Sequence, residues 1–155
     1  MKVKKQFSQT QTLNAPLEHV WAIISRASGL NDWLPVITTC QLDGAGEKSK
    51  RFCETADGKY LKETIDRIDH ENLEFEYSIY EQNMMPLTDY KGKYSLKNAG
   101  EEKTEITWSS VFETEEDLFP AIEAALSDLY QMGFEGLENL AKHELETGKE
   151  HKKQS

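Results

Sequence analysis

Tyr90-Lys91-Gly92-Lys93-Tyr94-Ser95-Leu96-Lys97 sets an aromatic, aliphatic or small residue at every second position, with lysine or serine between. Period-two alternation marks a strand with one face on a core and the other in water. The next stretch repeats it, because Ile106, Trp108, Ser110 and Phe112 alternate with polar residues, and Asn98-Ala99-Gly100 between the two stretches supplies turn chemistry. Upstream, Asp43-Gly44-Ala45-Gly46, Asp57-Gly58, His70-Glu71-Asn72 and Met85-Pro86 break the same pattern, so that Val36 to Phe112 reads as six strands. Nothing between them is long enough for a crossover helix, which makes the sheet antiparallel. Val3, Phe7 and Leu13 share one parity and add a strand at the N-terminus, for seven in all.

Helical signals lie on either side of the six strands. Asn14-Ala15-Pro16 stops the first strand and opens a helix, with Asn14 as the expected cap and Val20, Trp21, Ile23 and Ile24 as its apolar face. Ser28 to Pro35 carries turn residues around Leu30, Trp33 and Leu34 and predicts a second, very short helix. After Phe112, the acidic run Glu113 to Asp117 and Pro120 suit the start of a long helix, along which Phe119, Ile122, Leu126, Leu129, Tyr130, Gly133, Leu137 and Leu140 recur at helical spacing. It is expected to end near Glu146, roughly 28 residues and about 42 Å from its start. The apolar-free residues 147–155 predict a disordered tail, leaving one domain over 1–146.

Composition narrows the function. The 155 residues carry 18 Lys and Arg against 28 Asp and Glu, a formal net charge of −10 that opposes nucleic-acid binding and attraction to anionic membranes. No stretch approaches the roughly 20 apolar residues of a membrane span, and the polar residues after Met1-Lys2-Val3-Lys4-Lys5 do not form a signal peptide, so a cytoplasmic location is expected. Cys40 and Cys53 lack metal or redox spacing and read as reduced packing residues. His19, His70, His143 and His151 form no ligand pattern, and neither a GxSxG elbow nor a phosphate loop is present. Neither a metal nor a cofactor is expected.

The order of strand, two short helices, six strands and one long helix resembles the START-related superfamily, which includes birch-pollen allergens, plant abscisic-acid receptors and bacterial polyketide cyclase/dehydrase-like proteins. Local motifs agree in order and spacing. They are Ala15-Pro16 with Val20-Trp21; Gly29-Leu30 with Trp33 and Pro35; Lys50-Arg51-Phe52 before Ala56-Asp57-Gly58; Leu61-Lys62-Glu63-Thr64-Ile65 with Asp69; Asp89-Tyr90 with Gly92 and Tyr94; and Thr107-Trp108. The resemblance implies an α+β helix-grip fold, a curved sheet wrapped around the C-terminal helix with a cavity between them. In the resembling receptors the positions of Glu63 and Tyr90 contact ligand.

Alternation then nominates the lining. Tyr90, Gly92 and Tyr94 share the inner parity of their strand, and Gly92 is expected to leave room for a ligand, so that Gly92→Leu would block binding and spare the fold. Leu61, Glu63 and Ile65 also share a parity, which would send the Glu63 carboxylate inward as a general acid or base or as an acceptor for a ligand hydroxyl. Glu63 and Tyr90 are the catalytic candidates. Phe52 and Glu54 are taken as inward, with Glu54 solvated near the mouth, and Arg51 as outward. Tyr77 and Ile79, then Trp108, Ser110 and Phe112, complete the sheet wall, and Ile122, Leu126 and Tyr130 complete the helix wall. Asn83 to Thr88 and Ala56 to Gly58 are expected to gate the mouth.

Three functions follow. The first is a monomer or homodimer that binds or carries an apolar, lipid-like or polycyclic small molecule. The second is a cyclase or dehydratase-like enzyme in which Glu63 and Tyr90 move protons. The third, implied by the resemblance, is a protein-interaction module of the chaperone-regulator type.

Overall fold

In a computed structural model of the protein, which describes residues 1–154 with side chains through Thr147, the seven strands form one antiparallel sheet. They are β1 (Lys2–Leu13), β2 (Ile37–Asp43), β3 (Lys50–Thr55), β4 (Tyr60–Asp69), β5 (Glu74–Gln82), β6 (Thr88–Gly100) and β7 (Lys103–Glu115), in the order β1-β7-β6-β5-β4-β3-β2. The alternation that nominated β6 and β7 is the burial pattern: Tyr90, Gly92, Tyr94 and Leu96 face inward, whereas Lys91 and Lys97 are exposed. The curved sheet grips a C-terminal helix, the helix-grip α+β arrangement.

Helix α1 (Leu17–Ser25) buries Val20, Trp21, Ile23 and Ile24. Pro16 stands at its N-cap, and Asn14, expected there, instead donates its backbone N–H to the Glu138 carboxylate on the C-terminal helix. A single 3₁₀ turn at Leu30–Asp32 follows and packs Leu30, Trp33 and Leu34 into the core. Helix α2 (Phe119–Gln154) buries Ile122, Leu126, Tyr130, Phe134, Leu137 and Ala141, spaced three or four apart and therefore on one stripe. The helix expected to end near Glu146 instead runs on to Gln154, so residues 147–154 of the expected disordered tail are helical, while Ser155 and the side chains beyond Thr147 lie outside the described residues.

Trp108 organises the packing between sheet and helix. Its ring stacks on Tyr130 at 3.9 Å with planes 8° apart and meets Tyr94 at 5.0 Å. Gly136 lets α2 approach this layer, because a Cβ there would collide with the Trp33 carbonyl. At the far edge, the β2–β3 register sets Cys40 opposite Cys53 with Cα atoms 4.1 Å apart, and the two sulfurs are bonded. This corrects the reading of both as free thiols: a spacing of 13 residues says nothing until a hairpin brings its two ends face to face.

Candidate functional site

A cavity of about 50 Å³ opens between the inner face of the sheet and the first turns of α2. Its floor is Glu63, Tyr77, Tyr90, Tyr94 and Trp108; Ile79 and Leu61 form a side wall. Leu126 and Leu129 face it from the helix, and Leu30, Leu34, Val36 and Ile37 from the segment that links α1 to β2. Met84, Met85 and Leu87, in the connection between β5 and β6, close the top.

Three of the floor residues, Trp108, Tyr77 and Tyr90, belong to one hydrogen-bonded chain that continues to Tyr130 and Ser110. Trp108 Nε1 donates to the Tyr77 hydroxyl at 2.9 Å, Tyr77 and Tyr90 hydroxyls meet at 3.0 Å, and Tyr90 and Tyr130 at 2.6 Å. Tyr130 donates onward to Ser110 Oγ at 2.8 Å. Because Trp108 has only a donor and Tyr130 gives its proton to Ser110, the protons align in one direction along the chain. Burial pushes the Tyr90 pKa up to about 12, partly offset by its hydrogen bonding with Tyr130 and Tyr77. Burial also raises Tyr77, Tyr94 and Tyr130. All four are neutral phenols at physiological pH.

Beside the floor lies a buried ion pair. Arg51 Nε donates to Glu63 Oε1 at 2.7 Å, with both side chains at most 4% exposed. Arg51 Nη1 donates to the Ala27 carbonyl at 2.9 Å, and its guanidinium lies 5.8 Å from the Tyr77 ring centre. Burial opposes the Arg51 charge, but the adjoining carboxylate outweighs it and raises the pKa. Ala27 holds a left-handed backbone, φ 63°, and it is this turn that aims its carbonyl at the arginine.

The pair overturns the strand parity expected for β3. Arg51 is directly opposite Glu63 in the sheet, so it enters the interior, while Phe52 turns to the outer face against Tyr60 at 6.3 Å and Glu54 is exposed. Apolarity suggested the opposite phase. A carboxylate drawn inward is far less costly when a cation enters beside it, and that decides the phase.

Gly92 is a second correction. No open space lies above it: the Tyr77 ring covers its Cα, and any Cβ would collide with that ring. Gly92 pairs directly with Tyr77 across β5 and β6, so the glycine makes room for a tyrosine of the protein itself. Ser110, Ile122 and Tyr130 are buried but sit behind the cavity wall. Glu63, Tyr77, Ile79, Tyr90, Tyr94, Trp108 and Leu126 do border the cavity. Of the two expected gates, the segment after β5 reaches the cavity and Ala56 to Gly58 does not line it. Sequence reasoning missed Arg51 and also Gln82, whose polar side chain gives no periodic signal.

The family model described as polyketide cyclase / dehydrase and lipid transport matches residues 4–143. None of the curated proteins matches the chain. Among solved structures, XoxI from Bacillus cereus is 23% identical, with a TM-score of 0.77 over 87% of this chain and 94% of that one. Norcoclaurine synthase from Thalictrum flavum, in complex with dopamine and hydroxybenzaldehyde, is 16% identical, with a TM-score of 0.76 over 92% of this chain and 88% of that one. At these identities the likeness is one of fold. The family match spans both short helices, all but the first residues of the sheet and most of α2, and by it this chain belongs to the polyketide cyclase / dehydrase and lipid transport family.

Proposed function

We propose that the protein binds an apolar small molecule between the sheet and α2, as a carrier or sequestering protein and not as a catalyst. The observation that carries this reading is a cavity walled mainly by aliphatic and aromatic side chains, in which Glu63 is held by Arg51 and the Tyr77, Tyr90 and Trp108 polar groups are hydrogen-bonded in one chain. Glu63, the candidate base, accepts a charge-assisted bond from Arg51, and burial keeps the tyrosine hydroxyls protonated near neutral pH, so none of them stands ready as a base. Such a floor orients a ligand. It offers little to a reaction that needs a free acid or base. That norcoclaurine synthase carries two aromatic molecules on the same fold supports a ligand of similar bulk and flatness here.

At about 50 Å³ the closed cavity is far below the roughly 300–1,000 Å³ of a site for such a molecule. Loading therefore requires the top of the cavity to move. Binding is tested with N-phenyl-1-naphthylamine, a neutral fluorophore whose emission rises in apolar surroundings. Wild type should bind it saturably, and Leu126→Trp, which fills the void from the helix side, should not. Equal uptake by both, or none by wild type, would refute the proposal.

A further inference from the structure

We infer that Gln82 is the latch of a lid over the cavity and that its carboxamide sets the rate at which an apolar ligand enters; the inference builds on the binding reading above. The lid is the connection from Asn83 to Leu87, whose Met84, Met85 and Leu87 side chains close the cavity. It belongs to no strand. What holds its backbone down is mainly one side chain: Gln82 Oε1 accepts from the Met84 and Met85 amides at 2.7 and 2.9 Å, and Gln82 Nε2 donates to the Met85 and Leu87 carbonyls at 2.8 and 3.0 Å. A primary carboxamide has two donor hydrogens and two acceptor lone pairs, and all four are used here.

The two ends of the lid are fastened elsewhere. Asn83 exchanges bonds with Tyr60 on β4, through Tyr60 N–H to Asn83 Oδ1 at 2.8 Å and Asn83 N–H to the Tyr60 carbonyl at 3.3 Å. Pro86 offers its carbonyl to Thr114 Oγ1 on β7 at 2.8 Å. The methionines lie between these anchors and depend on Gln82. Because its four bonds converge on one planar group, a single side-chain rotation releases them together, which makes closing and opening two distinct states. Gln82 also borders the cavity, so an entering molecule meets the latch itself. The flexible thioethers adapt to whatever lies beneath them.

Two measurements separate the latch from the binding reading. Hydrogen exchange of the Met84 and Met85 amides needs no ligand: in Gln82→Ala both should exchange on the order of 10-fold faster, equivalent to about 1.4 kcal/mol less protection. Thr114→Val, which frees only the far anchor, should leave both within about threefold of wild type. Gln82→Glu keeps the size of the side chain while turning an oxygen toward the two carbonyls, so it too should accelerate exchange, and it serves if the alanine variant folds poorly. Stopped-flow uptake of N-phenyl-1-naphthylamine should reach a rate plateau at high probe concentration in wild type, and Gln82→Ala should raise that plateau about 10-fold. Unchanged exchange in both Gln82 variants, or an unchanged plateau in a folded Gln82→Ala, overturns the latch. If wild type takes up no probe, the binding reading fails, and amide exchange alone decides the latch.

Discussion

Gly92→Ala adds one methyl group to an inner strand position, and its consequence follows from what covers that position. In most strands the exchange is neutral or helpful, since alanine lowers the entropy of the unfolded chain by about 0.4–1 kcal/mol. Here the new Cβ would occupy the place of the Tyr77 ring. That ring has little freedom to retreat: its hydroxyl is bonded to Trp108 and Tyr90, and its face stacks on Tyr94 at 5.6 Å. Overpacking costs about 1–3 kcal/mol, and disturbing two buried hydrogen bonds adds about 1 kcal/mol each. After the entropic gain, the net loss is about 3 kcal/mol, a fall in Tm on the order of 6–12 °C for a domain of this size. Calorimetry of wild type, Gly92→Ala, Tyr77→Leu and the double variant measures this, with the double variant expected to recover most of the glycine penalty because the colliding ring is gone. A Gly92→Ala protein that melts at or above the wild-type temperature would show that the ring is not fixed there.

Other expectations follow from the interior and the edge. Glu63→Gln should lower stability in urea by about 3–5 kcal/mol by leaving the Arg51 charge buried without its partner, while Glu63→Leu with Arg51→Met should come close to wild type; a mild effect of the single change would place the pair in solvent. Tyrosines that are neutral when buried make stability fall with alkali. Below the unfolded pKa of 10.0 the folded and unfolded chains hold the same phenol protons, and above it the unfolded chain loses them first, so stability should drop from pH 10 upward toward the folded Tyr90 value of about 12. Chemical denaturation from pH 8 to pH 11 checks the sign, and flat stability over that range would contradict it. The Cys40–Cys53 bond predicts no free thiol in the unreduced, denatured protein and two after reduction, with a stability loss of about 3 kcal/mol for a loop of this length; a full thiol count before reduction would refute the crosslink.

The elements whose side chains alternate strictly were legible from the sequence, and the reason for each failure is local. β6 and β7 have one wet and one dry face, so parity alone orients Tyr90, Tyr94 and Trp108. β3 is short, with a charge on either parity, and only its pairing with Glu63 fixes which one turns inward. Gly92 signalled a close approach, but the identity of the approaching group depends on the neighbouring strand, a relation across β5 and β6 that no single strand carries. The register that brings Cys40 to Cys53 is hidden in the same way. Gln82 could have been suspected only from its place at the end of a strand beside Met84-Met85-Pro86, where a loop without sheet bonds needs a side chain to satisfy its amides.

The strand order also governs when the fold can be completed. From β2 to β7 each strand pairs with the next along the chain, a meander of hairpins that can assemble step by step. β1 is the exception, since its Leu13 lies opposite Thr104 and its Lys2 opposite Glu115. During synthesis the first strand made must wait for the last, and until they meet, β7 offers a row of unpaired backbone groups with Val111 among its outward residues. The lysines Lys2 and Lys4 on the outer face of β1 then make a charged border where an adhesive one had been, so the docking of a single N-terminal strand closes the β7 edge to other chains.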